Sequence, residues 1–306
     1  MQRHGRSSPK FRADRPPVYF RTCLPQAGAI AIATPGLKHM KRILCPTDLS
    51  SSGDHAIDTA RALATSTGAQ VDLLHVVRSV DERAEAMTDL GQIAAMVRNH
   101  GVTCEGHVRE GDIFHAIPAA VAEGGHDLMV VGTHGLRNLK QKLLGSDVLK
   151  LARKVKVPCI VVQEHASTNS MERIVMPVAG HNDVTRLLDA VCAVAKAIGS
   201  EVHVFQAMRP MDQPSAQLLN NKRDMLYRLQ AEGIKHLEAN VPPETFSIGY
   251  AQHIIGYAKK VGAGLIAVIA DASPDMTHIA DAEKERLLFN DAHIPVLCAR
   301  DGSQVK

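Results

Sequence analysis

The sequence predicts an α/β protein that contains two tandem copies of one unit, each a five-stranded parallel sheet covered by helices. Three observations predict this fold class. From residue 40 onward, short apolar runs alternate with segments of helical periodicity. The apolar runs are nearly continuous in Val, Leu and Ile, which is typical of strands buried on both faces of a sheet. The same order of blocks then occurs a second time.

The composition agrees with a soluble globular protein of two domains. The chain has 306 residues, of which 22% are charged and 45% are hydrophobic. A formal net charge of +3 is too small to indicate a nucleic-acid or membrane partner, and 3% aromatic residues do not favour a base-stacking platform. No apolar run approaches the roughly 20 residues that a bilayer-spanning helix needs. We therefore expect neither nucleic acid nor membrane as a partner.

Residues 1–39 differ from the remainder of the chain. They carry seven Lys or Arg residues against one acid, Asp14, together with several prolines and no sustained periodicity. Three interpretations are open: a disordered basic tail, a targeting peptide, or translation that begins at Met40. The composition favours a tail without a fold.

Each element of the first copy follows from its local pattern. RILCP at 42–46 predicts a strand, and alanine and leucine at helical spacing predict a helix over 54–67 that Gly68 ends. The same alternation continues through strand 71–77, helix 81–99, strand 104–110, helix 112–123, strand 127–131, helix 145–155 and strand 158–162.

Four blocks of the first copy recur at a nearly constant offset. RILCP at 42–46 matches RIVMP at 173–177, and without a gap Gly68 matches Gly199. Further on, GDIFHAI (111–117) aligns with GYAQHII (249–255), and VPCIVV (157–162) aligns with IPVLCA (294–299). We therefore predict domains over 40–164 and 171–301, joined by the polar linker EHASTNS at 164–170.

The glycine-rich segment GTHGLRNLKQKLLGS (132–146) follows the predicted strand DLMVV. Gly132, Gly135 and Gly145 lie where a strand turns into a helix, and glycine there lets a ligand approach the backbone. The N–H groups at the start of the next helix and the Ser146 hydroxyl would favour an anion. We interpret the segment as a phosphate cradle; the alternative is that these glycines only form turns.

Asp48 follows the first strand in CPTDLSSSGD. The first strand of a doubly wound sheet is central, so its carboxyl end lies beside the crevice where ligands bind. A carboxylate there would accept hydrogen bonds from an adenine amine or ribose hydroxyls, or lie near Mg²⁺. The alternative is an N-cap or turn acid before the first helix.

The motif G-x2-G-x9-G-S, with PTD closing the first strand, resembles the universal stress protein family in its ATP-binding branch. The resemblance implies a Rossmann-like, adenine nucleotide alpha hydrolase-like sheet of order 3-2-1-4-5 and ATP, with Mg²⁺, as the cofactor. It also implies a set of binding residues. These are Pro46, Thr47, Asp48 and Val76 on the adenine and ribose side, and Gly132, Thr133, His134, Gly135, Gly145, Ser146 and Asp147 around ribose and phosphates. Asp147 departs from what a phosphate site favours, because its carboxylate would repel the nucleotide unless a cation bridges them.

The second copy lacks this motif. The offsets place Ala179 at the position of Asp48, Ala270 at that of Gly132, Ser273 at that of Gly135, Ala282 at that of Gly145 and Glu283 at that of Ser146. We predict that this copy does not bind ATP and has a structural role. Because family members commonly dimerise, a tandem chain would build the pair within itself, with PCIVV and PVLCA as the edges that meet; a homo-oligomer is the alternative.

The remaining candidate residues indicate little chemistry. The spacing of His75, His107, His115, His126 and His134 matches no metal-ligand pattern, so we expect no metal site in the protein itself. No catalytic residue is evident; Arg137 is the nearest candidate for phosphoryl transfer. Most of the six cysteines lie in apolar, strand-like contexts, which indicates reduced thiols and a cytoplasmic location. The leading hypothesis is an ATP-binding stress-response protein whose nucleotide sets conformation or partner choice. The rivals are a slow ATPase or nucleotide-transferring enzyme, and a scaffold with an empty pocket.

Overall fold

In the part of the chain that the structure describes, the two copies form one ten-stranded sheet with helices on both faces. The computed structural model describes residues 40–50, 54–133, 145–166, 171–207, 214–242, 249–272 and 277–304. The predicted tail at 1–39 and residues 167–170 of the predicted linker lie outside these ranges.

The first copy alternates strands and helices as predicted. Helix α2 begins two residues later than the predicted helix, because Val80–Glu82 form a short 3-10 turn. Its elements are β1 (Arg42–Pro46), α1 (Asp54–Thr67), β2 (Gln70–Val77), α2 (Arg83–Arg98), β3 (Cys104–Glu110), α3 (Ile113–Gly124), β4 (Leu128–Gly132), α4 (Gly145–Lys154) and β5 (Cys159–Val162).

The second copy repeats this order. Gly68 after α1 and Gly199 after the equivalent helix α5 both adopt left-handed φ angles, 73° and 79°, that favour glycine, so the repeat extends to the turn after each helix. The elements are β6 (Arg173–Pro177), α5 (Thr185–Ile198), β7 (Glu201–Ala207), α6 (Ala216–Ala231), β8 (His236–Val241), α7 (Tyr250–Val261), β9 (Leu265–Ile269), α8 (Thr277–Leu288) and β10 (Val296–Ala299).

The strand order across the sheet is β3-β2-β1-β4-β5-β10-β9-β6-β7-β8. The first copy therefore has the predicted order 3-2-1-4-5. The second copy has the same internal order, counted from the opposite edge of the sheet. Among the described strands, neighbours pair in parallel except at one ladder, and this antiparallel ladder joins β5 to β10. The sheets of the two copies are thus continuous through β5 and β10.

The joint between the copies is the strand pair that the sequence indicated. Cys159 pairs with Cys298, Ile160 with Leu297 and Val161 with Val296. Because each strand is short and buried, pairing removes an apolar edge from both copies.

Two hydrophobic cores lie on opposite faces of the sheet, and each runs through both copies. One packs α1, α2, α5 and α6 against the sheet, and the other packs α3, α4, α7 and α8. No helix within the described ranges is both long and apolar enough to cross a bilayer.

The strand registers correct one of the predicted correspondences between the copies. Leu128 of β4 pairs with Ile43, and Leu265 of β9 pairs with Ile174 at the equivalent position of β6. Gly132 is four residues after Leu128, and Ile269 is four residues after Leu265, so Gly132 corresponds to Ile269. The predicted assignment of Gly132 to Ala270 is therefore wrong by one residue. The alignment of GDIFHAI with GYAQHII caused the shift, since the helices that begin within these segments start at Ile113 and Tyr250, which are 137 rather than 138 residues apart. The conclusion that this glycine is absent from the second copy is unchanged.

Candidate functional site

A cavity of about 410 Å³ opens at the carboxyl ends of β1 and β2. It is lined by Pro46, Thr47, Asp48 and Val76, all four of which the sequence placed on the adenine and ribose side. The structure thus brings these residues together, because adjacent parallel strands end at the same edge of the sheet.

Hydrogen bonds fix the backbone where β1 leaves the sheet. The N–H of Thr47 donates to the carbonyl of Leu74 at 2.9 Å, and Nδ1 of His75 lies 2.8 Å from the Thr47 carbonyl oxygen. The Thr47 hydroxyl oxygen accepts from the N–H of Leu49 at 3.1 Å, and Leu49 has a positive φ of 63°. The loop is therefore held in an uncommon conformation by Thr47, a residue that the sequence singled out.

Asp48 shapes the same loop. One carboxylate oxygen, Oδ1, accepts from the Ser50 N–H at 3.0 Å and from the Ser50 hydroxyl at 2.5 Å. This is the turn role that the sequence left open as an alternative. It is not a helix cap, since α1 begins only at Asp54. Asp48 is 5% exposed yet lines the cavity, so the loop also holds a carboxylate at the cavity wall.

The inner wall of the cavity is apolar. Val76 and Leu74 of β2 line it together with Ile113 and Ile117 of α3 and Ala86 of α2. Ile117 and Leu74 belong to the packed core, so this wall is rigid. An apolar wall beside a few fixed polar groups is typical of small-molecule sites.

An acidic rim, formed by Glu82, Glu85 and Asp89, was not predicted from the sequence. All three line the cavity, and Oε2 of Glu82 accepts from the Arg78 N–H at 3.0 Å. The spacing i, i+3, i+7 places these acids on one helical face, and that stripe was the available signal. Carboxylates here suit hydroxyl or amine donors and cations, and they disfavour an unneutralised anion.

The predicted phosphate-side residues lie on neighbouring elements. Gly132 is the last residue of β4, and the Thr133 N–H donates to the Val162 carbonyl at 2.8 Å. Gly145 begins α4, with Ser146 exposed and Asp147 in its first turn. His134 and Gly135 lie outside the described residues. Of the described phosphate-side residues, none is among those that line the 410 Å³ cavity.

The equivalent edge of the second copy is filled by ionic side chains. Arg300 Nε donates to both oxygens of Asp271, at 2.8 and 2.9 Å, and the Lys284 ammonium donates to the Asp271 carbonyl. His181 lies beside them, with Nδ1 3.8 Å from Oδ2 of Asp301. Burial, reinforced by the charge of Lys284, lowers the pKa of His181 to about 4. Burial and Arg153 lower the pKa of Lys284 to about 8.

Glu283, which the sequence placed at the anion position of the second copy, has a different role. Helix α8 begins at Thr277, so Glu283 is not in its first turn. Its Oε2 instead accepts from the Ala251 N–H at 2.6 Å, at the start of α7. A Cβ at Gly249 would lie 2.6 Å from Oε1 of Glu283, so the glycine makes room for this carboxylate. The chain therefore supplies its own anion to a helix N-terminus here.

Comparisons with known proteins identify the first copy most directly. The universal stress protein family model matches residues 39–163. The universal stress protein MJ0577 of Methanocaldococcus jannaschii is 26% identical over 157 residues, which are 42% of this chain and 97% of that protein. Universal stress protein A homolog 1 of Coxiella burnetii is 30% identical over 129 residues, which are 35% of this chain and 85% of that protein.

A solved structure resembles both copies together. The universal stress protein from Archaeoglobus fulgidus matches with a TM-score of 0.65 and 20% identity, over 86% of this chain and 97% of that chain. At this identity the likeness establishes the fold. It covers the tandem arrangement as well as the single unit.

Proposed function

The chain belongs to the universal stress protein family, and from that premise we propose that its first copy binds ATP, with Mg²⁺, in a regulatory stress-response role. One observation carries the proposal: Pro46, Thr47, Asp48 and Val76, which were chosen from the sequence, line one cavity of about 410 Å³ at the carboxyl edge of the sheet. That volume lies within the range of roughly 300–1,000 Å³ typical of small-molecule sites.

Each part of the cavity has a role in this proposal. Val76 and Ile117 provide the apolar surface for the adenine ring, and the Asp48 carboxylate accepts from an amine or hydroxyl of the nucleoside. The glycine-rich segment 132–146 holds the phosphates with backbone N–H groups at the start of α4. Mg²⁺ offsets the repulsion between the triphosphate and the carboxylates of Asp48 and Asp147.

The second copy has a structural role in this proposal. Its carboxyl edge holds the ion pair of Arg300 with Asp271, and β10 covers the edge strand β5. The pairing within one chain replaces the pairing between two chains that single-copy proteins would need. Five described cysteines are free and buried, which supports a reducing, cytoplasmic location.

Isothermal titration of the full chain with ATP and Mg²⁺ tests the proposal. Val76→Phe fills the cavity, and we expect it to weaken binding at least about tenfold, since a lost fit of about 1.4 kcal/mol has that effect. The matched control is Ala207→Phe, because Ala207 occupies the equivalent strand position of the second copy, and we expect unchanged affinity.

Two results would overturn the proposal: no binding of ATP at millimolar concentration, or equal binding by wild type and Val76→Phe. The first would leave a scaffold with an empty pocket. Phosphate release followed over hours, with and without Gly132→Val, separates a binding protein from a slow ATPase. Release that the substitution abolishes together with binding would make this chain an enzyme.

A further inference from the structure

We propose that Asp72, Glu105 and His107 form a binding site for a divalent transition metal such as Zn²⁺, near the amino ends of β2 and β3. The site is separate from the nucleotide cavity, which lies at the carboxyl ends of the strands, and the inference does not depend on ATP binding. The sequence alone predicted no metal site, because these residues match no ligand spacing along the chain.

The strand register brings the three side chains to one face of the sheet. Asp72 pairs with Glu105 and Leu74 with His107, so the site spans two adjacent strands. Glu105 and His107 are two residues apart on β3 and therefore point to the same side. Asp72 is opposite Glu105 and shares that side.

The ligand atoms are already close to a metal-binding arrangement. Nε2 of His107 lies 3.9 Å from Oδ1 of Asp72 and 3.7 Å from Oε2 of Glu105, and the three ligand atoms lie within 4.8 Å of one another. Around a tetrahedral Zn²⁺ with bonds of about 2.1 Å, ligand atoms are roughly 3.4 Å apart. His107 and Glu105 are 47% and 59% exposed, so small rotations of these two side chains close the difference.

The third ligand is fixed by the protein. Oδ2 of Asp72 accepts from Arg42 Nη2 at 2.6 Å and lies 2.8 Å from Nε2 of His126, while Gln70 donates to Oδ1 at 2.7 Å. These groups turn Oδ1 toward His107 and hold it there. Partners of this kind around a metal ligand orient it and raise affinity.

His126 adds an independent observation. Its side chain is 4% exposed, and Nδ1 has no hydrogen-bond partner among the described residues. A Cβ at Gly124 would lie 2.2 Å from Cε1 of His126, so the glycine at the end of α3 leaves the space that this ring occupies. The His126 imidazole is therefore buried with Nδ1 unpaired among the described residues, while its Nε2 holds the Asp72 carboxylate.

The chemistry of the ligands selects the metal. A ligand set of one imidazole nitrogen and two carboxylate oxygens suits Zn²⁺, Mn²⁺ or Co²⁺. It suits Ca²⁺ and Mg²⁺ less well, because these ions prefer ligand sets made only of oxygen. A cavity of about 310 Å³, lined by Asp72, His107 and His126, gives a metal and its waters access to the site. Arg42 offsets one negative charge, so we expect moderate rather than tight binding.

Titration of metal-free protein with Zn²⁺, without nucleotide, tests the proposal, and the visible spectrum of the Co²⁺ form reports the ligand geometry. We expect His107→Ala and Glu105→Ala each to weaken Zn²⁺ binding at least about tenfold. His115→Ala is the matched control, because His115 forms an exposed pair with Asp112 at 3.1 Å, and the described residues supply no third ligand there. Circular dichroism checks that all variants fold.

Any of four results would overturn the proposal. Wild-type protein that binds no Zn²⁺ at millimolar concentration would exclude the site. Binding that His107→Ala leaves unchanged would place the metal elsewhere, as would binding that is lost only in His115→Ala. A Co²⁺ spectrum of the hexa-aqua ion would mean that the protein supplies no ligands. Each of these readouts is independent of ATP, so failure of the nucleotide proposal leaves the test intact.

Discussion

Arg153 at the end of α4 forms a two-pronged ion pair with Asp281 of α8, with nitrogen–oxygen distances of 3.0 and 2.5 Å. The guanidinium also donates from Nε to the Ala270 carbonyl at 2.9 Å, and Arg300 donates to the Arg153 carbonyl. The helix that begins at Gly145, beside the proposed phosphate site, is therefore held at its other end by the second copy. The two copies are structurally coupled at this point.

Removal of this pair should destabilise the chain. We expect Arg153→Ala to lower the free energy of unfolding by about 1–2 kcal/mol, since the pair is bidentate and only partly exposed. Urea denaturation with a double-mutant cycle to Asp281→Ala measures the coupling. The pair of Arg61 with Asp58 within α1 is the control, with an expected coupling of about 0.5 kcal/mol or less. Equal coupling in the two cycles would mean that the interdomain pair has no special role.

The stability of the second copy should fall between pH 6.5 and 4. The pKa of His181 is lowered to about 4 in the folded state, so only the unfolded chain takes up its proton in this window. The stabilisation that neutral His181 gives the folded state is complete above pH 6.5, and up to about 3 kcal/mol of it is lost as the pH falls to 4. Chemical denaturation at several pH values should show a shallower decline for His181→Gln, because His203 and the carboxylates titrate in both proteins. Parallel curves would contradict this assignment.

The Glu283 carboxylate should stabilise the second copy without affecting nucleotide binding. We expect Glu283→Ala to cost about 1–2 kcal/mol of unfolding free energy, because the Ala251 N–H and the N-terminus of α7 lose an anionic partner. Glu285→Ala, on the same helix, should change stability by less than about 0.5 kcal/mol. Thermal denaturation of both variants gives the comparison. A gain of ATP binding in Glu283→Ala would show that this carboxylate, rather than the loss of glycines, blocks the second copy.

Two glycine substitutions should change the free energy of unfolding in opposite directions. Gly124→Ala places a Cβ 2.2 Å from a buried imidazole carbon that the bond to Asp72 holds in position, and we expect a loss of about 1–3 kcal/mol. Gly91 lies inside α2 with open space where a Cβ would extend, so Gly91→Ala should add about 0.5–1 kcal/mol through helix propensity. Unfolding curves measured side by side decide the signs. Equal changes would mean that the space beside His126 is not required.

Local patterns were sufficient for much of this architecture. The apolar runs predicted the strands, and Asp48 and Val76 line one cavity because parallel strands end at a common edge. The predicted meeting of PCIVV with PVLCA is confirmed by the pairing of β5 with β10. The assignment of Gly132 to Ala270 was wrong by one residue, because insertions between a strand and the following helix can be located only from the strand register.

Features that depend on distant contacts were not predicted. Asp72 and His126 are 54 positions apart and meet only through the strand order and the space at Gly124. Glu82, Glu85 and Asp89 resemble an ordinary solvated helix face until α2 is placed beside the cavity. The role of Glu283 at the start of α7 likewise depends on how α7 and α8 pack together. Residue spacing within one helix does not predict that packing.

The asymmetry between the copies is the central claim, and native mass spectrometry tests it most directly. The full chain, sprayed from a solution with ATP and Mg²⁺, should carry one nucleotide per chain, and Val76→Phe should carry it on a much smaller fraction of chains at the same ATP concentration. Ala207→Phe, at the equivalent position of the second copy, should still carry one. Two nucleotides on the wild-type chain, or none, would contradict this asymmetry.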